Sequence, residues 1–157
     1  MKGKLVFTSL LTIIVFLSFN LPVSASEPVN FYQPGNYPVR KYYIISLPRH
    51  DAVMAVTLDT IDITNDLELK LNFVWFLKIN PGHSVKKRSD YGNAKMYLSD
   101  DLGNVYYMTN ATDDAANDVS LENGEICSGS FFFSKLNEGV KKITFHDDDQ
   151  NKTIIIE

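Results

Sequence analysis

The chain has 157 residues, of which 45% are hydrophobic and 22% charged, and its formal net charge at pH 7 is −4. This acidic balance argues against nucleic acid as a partner, because phosphate binding needs clustered positive charge. The length suits a single domain with a core of useful size. The only cysteine, Cys127, excludes an internal disulfide.

Residues 1–25 are predicted to be a signal peptide. Lys2 and Lys4 precede an uncharged apolar segment over residues 5–19, and small residues mark a cleavage site after Ala25. The apolar segment is short for a bilayer span, so an uncleaved anchor helix is the less favoured interpretation. The leader therefore predicts a secreted or extracellular protein, either released or associated with the cell surface.

Residues 26–41 are predicted to form an extended linker, because three prolines and a glycine occur there without hydrophobic periodicity. The folded domain is expected over residues 42–157 and begins with a β-prone run at 42–47. In the next strand, from Ala52 to Thr64, the apolar residues change parity near Asp59. Such a change predicts a β-bulge that turns the apolar side of the strand from one sheet toward another.

The clearest strand covers residues 67–79, where every odd-numbered residue is apolar. Alternation at period 2 places one set of side chains on one side of a strand, whereas a helix would scatter them. The even-numbered residues are polar except Val74 and Phe76. The apolar side needs a second layer to cover it. The apolar side of the strand is formed by Leu67, Leu69, Leu71, Phe73, Trp75, Leu77 and Ile79.

Turn signals separate several later strands. The connections at 83–90 and 110–120 are polar, and the chain after the leader has no segment of helical period. Cys127 lies in a strand-like run and is predicted to be a buried, inert thiol. About seven or eight short strands at regular spacing predict an all-β antiparallel sandwich. The later strands are expected at 95–99, 105–109, 126–134, 140–145 and 153–156.

Three short motifs lie in the region 52–157. The central strand closes on Ile79-Asn80-Pro81-Gly82. A hairpin carries Leu98-x-Asp100-x-x-Gly103-x-x-Tyr106, and a later strand is introduced by Leu121-x-x-Gly124-Glu125-x-x-x-Gly129-x-x-x-Phe133. In these motifs the chain resembles a family of secreted bacterial immunoglobulin-like domains of unknown function, related in fold to an immunoprotective extracellular antigen of mycobacteria.

The resemblance implies an immunoglobulin-like sandwich of two sheets, exported to the cell surface or the medium, and it implies no catalytic residue. The glycines of the motifs also have a physical interpretation. Gly103 and Gly124 allow positive φ in turns. Gly129 permits the close approach of another sheet.

No residue is assigned a catalytic, cofactor-binding or metal-binding role. His50, His83 and His146 are each expected in a loop, with no pair at metal-ligand spacing. His50 and Asp51 would need a serine to form a hydrolase triad, and the sequence has no Gly-x-Ser-x-Gly elbow. We therefore expect a non-enzymatic protein without a cofactor.

Three acidic groups support an alternative hypothesis, a calcium-binding or small-ligand-binding extracellular domain. Loops at one end of a sandwich bring carboxylates together, and Ca²⁺ takes six to eight oxygen ligands. None of the groups has the Asp-x-Asp-x-Asp-Gly spacing of a calcium loop, so solvated turn residues are the favoured interpretation. The groups are Asp100 and Asp101; Asp113, Asp114 and Asp118; and Asp147, Asp148 and Asp149.

The basic cluster Lys86, Lys87 and Arg88 lies in the predicted loop 83–90. It suggests a peripheral contact with an anionic surface, at about 1 kcal/mol per charge near a membrane, although a solvated loop is the plainer interpretation. The main expectation is an interaction module that binds an unknown protein or a cell-envelope component. The terminal segment 153–156 is short and apolar, and at the border of a sheet it would offer an edge to another chain.

Overall fold

A computed structural model describes residues 28–47, 52–79, 84–87, 96–117 and 119–157. The predicted signal peptide lies outside this part of the chain. The described part contains ten β-strands and one short helix. In chain order they are β1 (Gly35–Leu47), β2 (Ala52–Ile63), β3 (Leu69–Ile79), β4 (Ser84–Lys87), β5 (Met96–Asp100), β6 (Val105–Ala111), α1 (Asp113–Ala116), β7 (Val119–Glu122), β8 (Ile126–Phe133), β9 (Ile143–Asp147) and β10 (Lys152–Ile156).

Eight of these strands form one antiparallel sheet in the order β1-β2-β3-β8-β6-β5-β9-β10. The sheet curls until its two end strands approach each other, and the ammonium of Lys41 on β1 donates to the carbonyl of Ile155 on β10. The predicted all-β antiparallel class is confirmed. The sheet is nearly barrel-shaped, so it supplies its own second layer, and β4 pairs with β7 in a separate ribbon.

The interior of the curled sheet is centred on β3. Its odd-numbered residues from Leu69 to Leu77 are buried, as the alternation predicts, whereas Leu67 lies in the preceding turn with φ of 63°. The ring of Phe73, 1% exposed, lies 5.5 Å from that of Phe131 on β8 and 4.9 Å from that of Phe145 on β9. Because β3 and β9 are distant in the strand order, this contact joins opposite walls of the interior.

The predicted bulge near Asp59 is confirmed, since the register between β2 and β3 shifts between Leu58 and Thr60. Its consequence differs from the expectation. Leu58 before the shift and Ile61 after it are both fully buried, so the bulge keeps residues of opposite parity facing one interior. An extra residue in one strand has this effect because each step along a strand reverses the direction of the side chain.

The linker predicted over residues 26–41 is corrected by the structure from residue 28 onward. Val29, Phe31 and Val39 are buried, and the amide of Val29 donates to the carbonyl of Glu157 at 2.9 Å. Strand β1 begins at Gly35, and its register on β2 shifts after Pro38. Proline is tolerated at such an irregularity in an end strand, so the prolines do not prevent this stretch from joining the fold.

Two polar connections contain structure that local sequence did not predict. Residues 110–120 hold α1, whose Ala115 is fully buried, and an added Cβ at Gly129 would lie 2.8 Å from Ala115. The close approach expected at Gly129 is therefore made by a helix rather than a sheet. The predicted loop 83–90 contains β4, because Val85 pairs with the distant Leu121 of β7.

Helix α1 has four residues, and no helix in the described part of the chain combines the length and apolar composition that a membrane span requires.

Candidate interaction surface

The first predicted acidic group stabilises the turn between β5 and β6. Oδ1 of Asp100 accepts hydrogen bonds from the backbone amides of Leu102 and Asn104, at 2.9 and 2.8 Å. Its Oδ2 accepts the hydroxyl of Tyr106 at 2.7 Å, and Gly103 occupies the turn at φ of 89°. Burial raises the pKa of Asp100, but the hydrogen bonds from Asn104 and Tyr106 outweigh it and lower the pKa below its ordinary value.

The neighbouring Asp101 connects this hairpin to the segment before β9. Its Oδ1 accepts from the backbone amides of Lys141 and Lys142 at 3.1 and 3.3 Å. The hydrogen bond from Lys141 is the main cause that lowers the pKa of Asp101. Both carboxylates of the pair therefore bind donors of the protein itself.

The third acidic group contributes one carboxylate to the closure of the sheet. Asp147, at the end of β9, is only 3% exposed, and its Oδ2 accepts the hydroxyl of Tyr43 on β1 at 2.6 Å. Its Oδ1 accepts the amide of Gln150 at 3.3 Å. Burial raises the pKa of Asp147, and the hydrogen bond from Tyr43 offsets only part of that effect.

The acidic groups do not converge on a common metal site in the part of the chain that the structure describes. Over residues 28–47, 52–79, 84–87, 96–117 and 119–157, no three or more histidine, cysteine, aspartate or glutamate side chains are grouped so that they could hold a metal ion. Asp113 and Asp114 lie in the first turn of α1. His50, His83 and Asp118 lie outside the described residues.

His146 lies on β9, not in the loop expected from the sequence. Its Nε2 is 2.8 Å from Oγ of Ser99 on β5, and its ring stacks on Tyr97 with centroids 4.4 Å apart. The ring of Tyr107, 74% exposed, lies 6.4 Å beyond Tyr97. We call the outward-facing side chains of this part of the sheet the polar outer face. It comprises Val105, Tyr107, Tyr97, Ser99, Thr144, His146, Thr153 and Ile155.

The opposite outer side, on β1, β2, β3 and β8, is apolar. The registers align Ile44, Ala55, Phe76 and Ile126 in one row across the four strands. Phe76 is 40% exposed and Ile126 66%. We call this row and its two neighbouring rows the apolar outer face. It comprises Tyr42, Thr57, Val74 and Ser128; Ile44, Ala55, Phe76 and Ile126; and Ser46, Val53 and Lys78.

A shallow pocket of about 390 Å³ borders the apolar outer face. It lies between α1, β7 and β8, and its lining includes Asp114, Glu125 and Ser128. Cys127 contributes to the same wall and is buried, which confirms its predicted burial. The pocket is open to solvent and joins the apolar outer face at Ile126.

The predicted basic cluster begins on a strand. Lys86 and Lys87 belong to β4, where their backbones pair with Ser120 and Val119 of β7, whereas Arg88 lies outside the described residues. The suggested contact of this cluster with an anionic surface stays a prediction.

Sequence analysis missed the apolar outer face, although its signal was present. Val74 and Phe76 interrupt the polar side of β3, and these two residues lie at the centre of the face. In a strand with one buried side, an exposed apolar residue is unremarkable alone. Its significance appears only when the register aligns such residues from neighbouring strands.

The fold and the surface together define an all-β domain with an antiparallel, nearly closed sheet and one apolar outer side. Comparison of the chain with models of protein families, with curated proteins and with solved structures finds no match.

Proposed function

We propose that the protein is a non-enzymatic interaction module, exported to the cell surface or the medium, that binds a protein or cell-envelope partner through the apolar outer face. One observation carries the proposal. Three of the largest side chains on this face, Tyr42, Phe76 and Ile126, are exposed by 60%, 40% and 66%. Contiguous exposed apolar side chains cost free energy in water and mark interaction sites on soluble proteins.

The composition of the face favours a macromolecular partner. Its only charged residue is Lys78, at the rim, and depletion of charge with aromatic enrichment is typical of interface centres. The outer side of a sheet that curls into a near-barrel is convex across its strands, whereas a small molecule normally binds in a concave site. The pocket beside Ile126 would extend the contact area rather than form a separate site.

The polar residues support a non-enzymatic role. Asp100 and Asp101 accept hydrogen bonds from backbone amides of the turns that they stabilise, and Asp147 accepts one from Tyr43. Each of the three carboxylates therefore has a structural role in the fold. Among the described residues, Ser99 and His146 make a contact with the geometry of a nucleophile and base, and it lies on the polar outer face, away from the proposed binding surface.

Export and the immunoglobulin-like relationship are parts of the same proposal. They are supported by the leader pattern over residues 1–25 and by the three motifs, of which two contain the positive-φ glycines Gly103 and Gly124. Export is tested by the N-terminal sequence of the protein in the cell-surface fraction or the medium. We expect the chain to begin at Ser26, and a full-length chain confined to the cell interior would contradict the proposal.

Binding is tested with the cell-surface fraction of the producing cell and three forms of the protein. Phe76→Glu places a carboxylate at the centre of the apolar outer face, and Tyr107→Glu makes the matched change on the polar outer face. We expect Phe76→Glu to weaken retention at least about tenfold, since truncated or charged central residues dominate binding losses. Tyr107→Glu is expected to bind like the unchanged protein.

Equal retention of all three forms would contradict the proposed surface. Thermal unfolding of each form shows that the comparison is made between folded proteins. A panel of hydrolase substrates tests the non-enzymatic part, and turnover that disappears in Ser99→Ala or His146→Ala would overturn it.

A further inference from the structure

Strands β7 and β8 leave one turn but pair with different strands. β7 pairs with β4 in the separate ribbon, whereas β8 pairs with β3 in the main sheet. At the turn they are close, since the amide of Glu125 donates to the carbonyl of Glu122 at 3.1 Å. Beyond the turn, the pocket of about 390 Å³ lies between residues 119–121 of β7 and residues 126–128 of β8. We call this space between the two strands the strand cleft.

One wall of the strand cleft is an open edge of β8. In an antiparallel strand, the backbone groups of successive residues point alternately to one neighbouring strand and to the other. Ser130 marks the direction away from β3, because its amide donates to Oγ1 of Thr112 at 2.9 Å and its carbonyl accepts the amide of Thr112 at 3.0 Å. Ile126 and Ser128 have the same parity as Ser130. Their backbone groups therefore also point away from β3, into the strand cleft.

The other wall is an open edge of β7. Glu122 marks the direction toward β8, since its carbonyl accepts the amide of Glu125 and its amide donates to Oε2 of Glu125 at 2.7 Å. Ser120 has the same parity, so its backbone groups point away from β4 and into the cleft. Within the described ranges, no backbone group pairs with Ser120, Ile126 or Ser128 across this space. The strand cleft thus has unpaired strand edges on both sides.

Resting on the proposed function, we propose that the partner is a protein and that an extended segment of it enters the strand cleft as an added strand. The segment forms backbone hydrogen bonds with Ser120 on one side and with Ile126 and Ser128 on the other. Unpaired strand edges are templates for pairing with another chain, and strand addition is a common mode of peptide recognition. This cleft offers two edges to one segment.

The charge of the cleft selects a basic segment. Its lining contains the carboxylates of Asp114 and Glu125 and no lysine or arginine. Glu125 accepts one hydrogen bond from the amide of Glu122, and a carboxylate has acceptor capacity for more. A lysine or arginine of the segment would contact these two carboxylates. Because the cleft is open to solvent, the backbone bonds supply most of the affinity and the charges supply selectivity.

The position of the cleft favours a protein over other partners from the cell surface. Ile126 and Ser128 belong both to the cleft and to the apolar outer face, so a partner that covers the face reaches the cleft without interruption. Only a polypeptide supplies N–H and C=O groups at the spacing of a β-strand. A polysaccharide or a lipid would leave the strand edges unpaired.

Hydrogen exchange of the free protein tests the open edge. After correction for local sequence, we expect the amides of Ile126 and Ser128 to exchange at least about tenfold faster than those of Cys127 and Gly129, which point toward β3. Equal protection of all four amides would show that the chain itself closes the cleft, and the proposal would be overturned.

Synthetic peptides test strand addition. The probe is a set of capped heptapeptides with a central lysine among threonines and valines, and we expect members to bind with Kd of about 1 mM or tighter and to slow exchange at Ile126 and Ser128. Replacing the lysine by glutamate should weaken binding at least about fivefold. Methylation of alternate backbone nitrogens should weaken it at least about tenfold, because the added strand then lacks donors. Absence of binding by the whole set, or equal binding of the methylated peptides, would overturn the proposal.

Variants of the cleft provide matched controls. Ser128→Pro removes an amide proton that points into the cleft and leaves the bonds between β8 and β3 in place, so it should weaken binding of the lysine peptide at least about tenfold. Ser128→Ala keeps the amide and should bind within about twofold of the unchanged protein. The double variant Asp114→Asn/Glu125→Gln should lose the preference for lysine over glutamate. If Ser128→Pro does not fold, the methylated peptides decide the outcome.

Retention on the cell-surface fraction separates this proposal from the proposed function. We expect Ser128→Pro, and also an excess of the lysine peptide, to weaken retention of the protein at least about fivefold. Retention that Phe76→Glu weakens, but that Ser128→Pro and the peptide leave unchanged, would refute the strand cleft as a binding site while leaving the proposed function intact.

Discussion

The two outer sides of the curled sheet expose large side chains in different ways. On the polar outer face, the aromatic residues contact their neighbours: Tyr97 stacks on His146, and His146 meets Ser99 at 2.8 Å. On the apolar outer face, Phe76 and Ile126 belong to a row of four residues that are all apolar. Exposure alone therefore does not mark a contact surface, since Tyr107 is more exposed than Phe76. The aligned row of apolar residues distinguishes the two sides.

The largest expected effect separates the interior from the apolar outer face. Phe73 and Phe76 lie on opposite sides of the same strand, and only Phe73 contacts the rings of Phe131 and Phe145. Phe73→Ala should lower the free energy of unfolding by about 3–5 kcal/mol. Phe76→Ala should lower it by about 1 kcal/mol or less, because the side chain is already partly in water. Urea unfolding measures both, and similar losses would show that Phe76 is a core residue.

The next effect concerns the hairpin that carries the polar outer face. Asp100→Ala removes the acceptor for the amides of Leu102 and Asn104 and for the hydroxyl of Tyr106. We expect a loss of about 2 kcal/mol in the free energy of unfolding, measured by urea unfolding. The exposed Asp66 provides a matched control, and Asp66→Ala should change the value by about 0.5 kcal/mol or less. Equal losses would contradict the structural role of Asp100.

The contact between Tyr43 on β1 and Asp147 on β9, which helps to close the sheet, makes the stability of the fold depend on pH. Burial raises the pKa of Asp147, so the folded protein keeps this proton to a higher pH than the unfolded chain does. The contribution of Asp147 to stability is therefore complete below the unfolded pKa and decreases as the pH rises through the folded value.

Replacing this carboxyl by an amide removes the titration and retains an acceptor for the hydroxyl of Tyr43. The free energy of unfolding of Asp147→Asn, compared with that of the unchanged protein, should therefore rise between acidic and neutral pH. Urea unfolding at a series of pH values measures this difference. A difference that stays constant, or that falls as the pH rises, would contradict the raised pKa.

The smallest stability effects are expected on the outer sides themselves. Ile126→Ser on the apolar outer face and Tyr107→Ser on the polar outer face should each change the free energy of unfolding by about 0.5 kcal/mol or less. The two variants should differ in binding, because only Ile126 lies in the proposed contact. A larger loss of stability for Ile126→Ser, with unchanged binding, would assign the apolar residues of β8 to the fold instead.

Local pattern predicted the strands whose two sides differ. The alternation in β3, the parity change near Asp59 and the burial of Cys127 on β8 were predicted from local sequence, and all three are present in the structure. Gly103 and Gly124 have the positive φ expected of their turns. Each of these features is determined by residues that are close together in the sequence.

Features that depend on distant pairing were not predictable in the same way. Strand β8 lies between β3 and β6, and the contact of Phe73 with Phe145 joins opposite walls of the sheet. Val29 and Phe31 pack into the interior although their surroundings have the composition of a linker. The apolar outer face also depends on register, since Ile44 and Ile126 become parts of one row only when four strands are aligned.

Binding through the apolar outer face is tested most directly by amide nitrogen and proton spectra of the protein, recorded with increasing amounts of cell-surface extract. We expect the signals from the rows around Ala55, Phe76 and Ile126 to shift or broaden, while those around Tyr97 and His146 remain unchanged. Changes confined to the polar outer face, or spectra that respond nowhere on β2, β3 and β8, would contradict binding through this face.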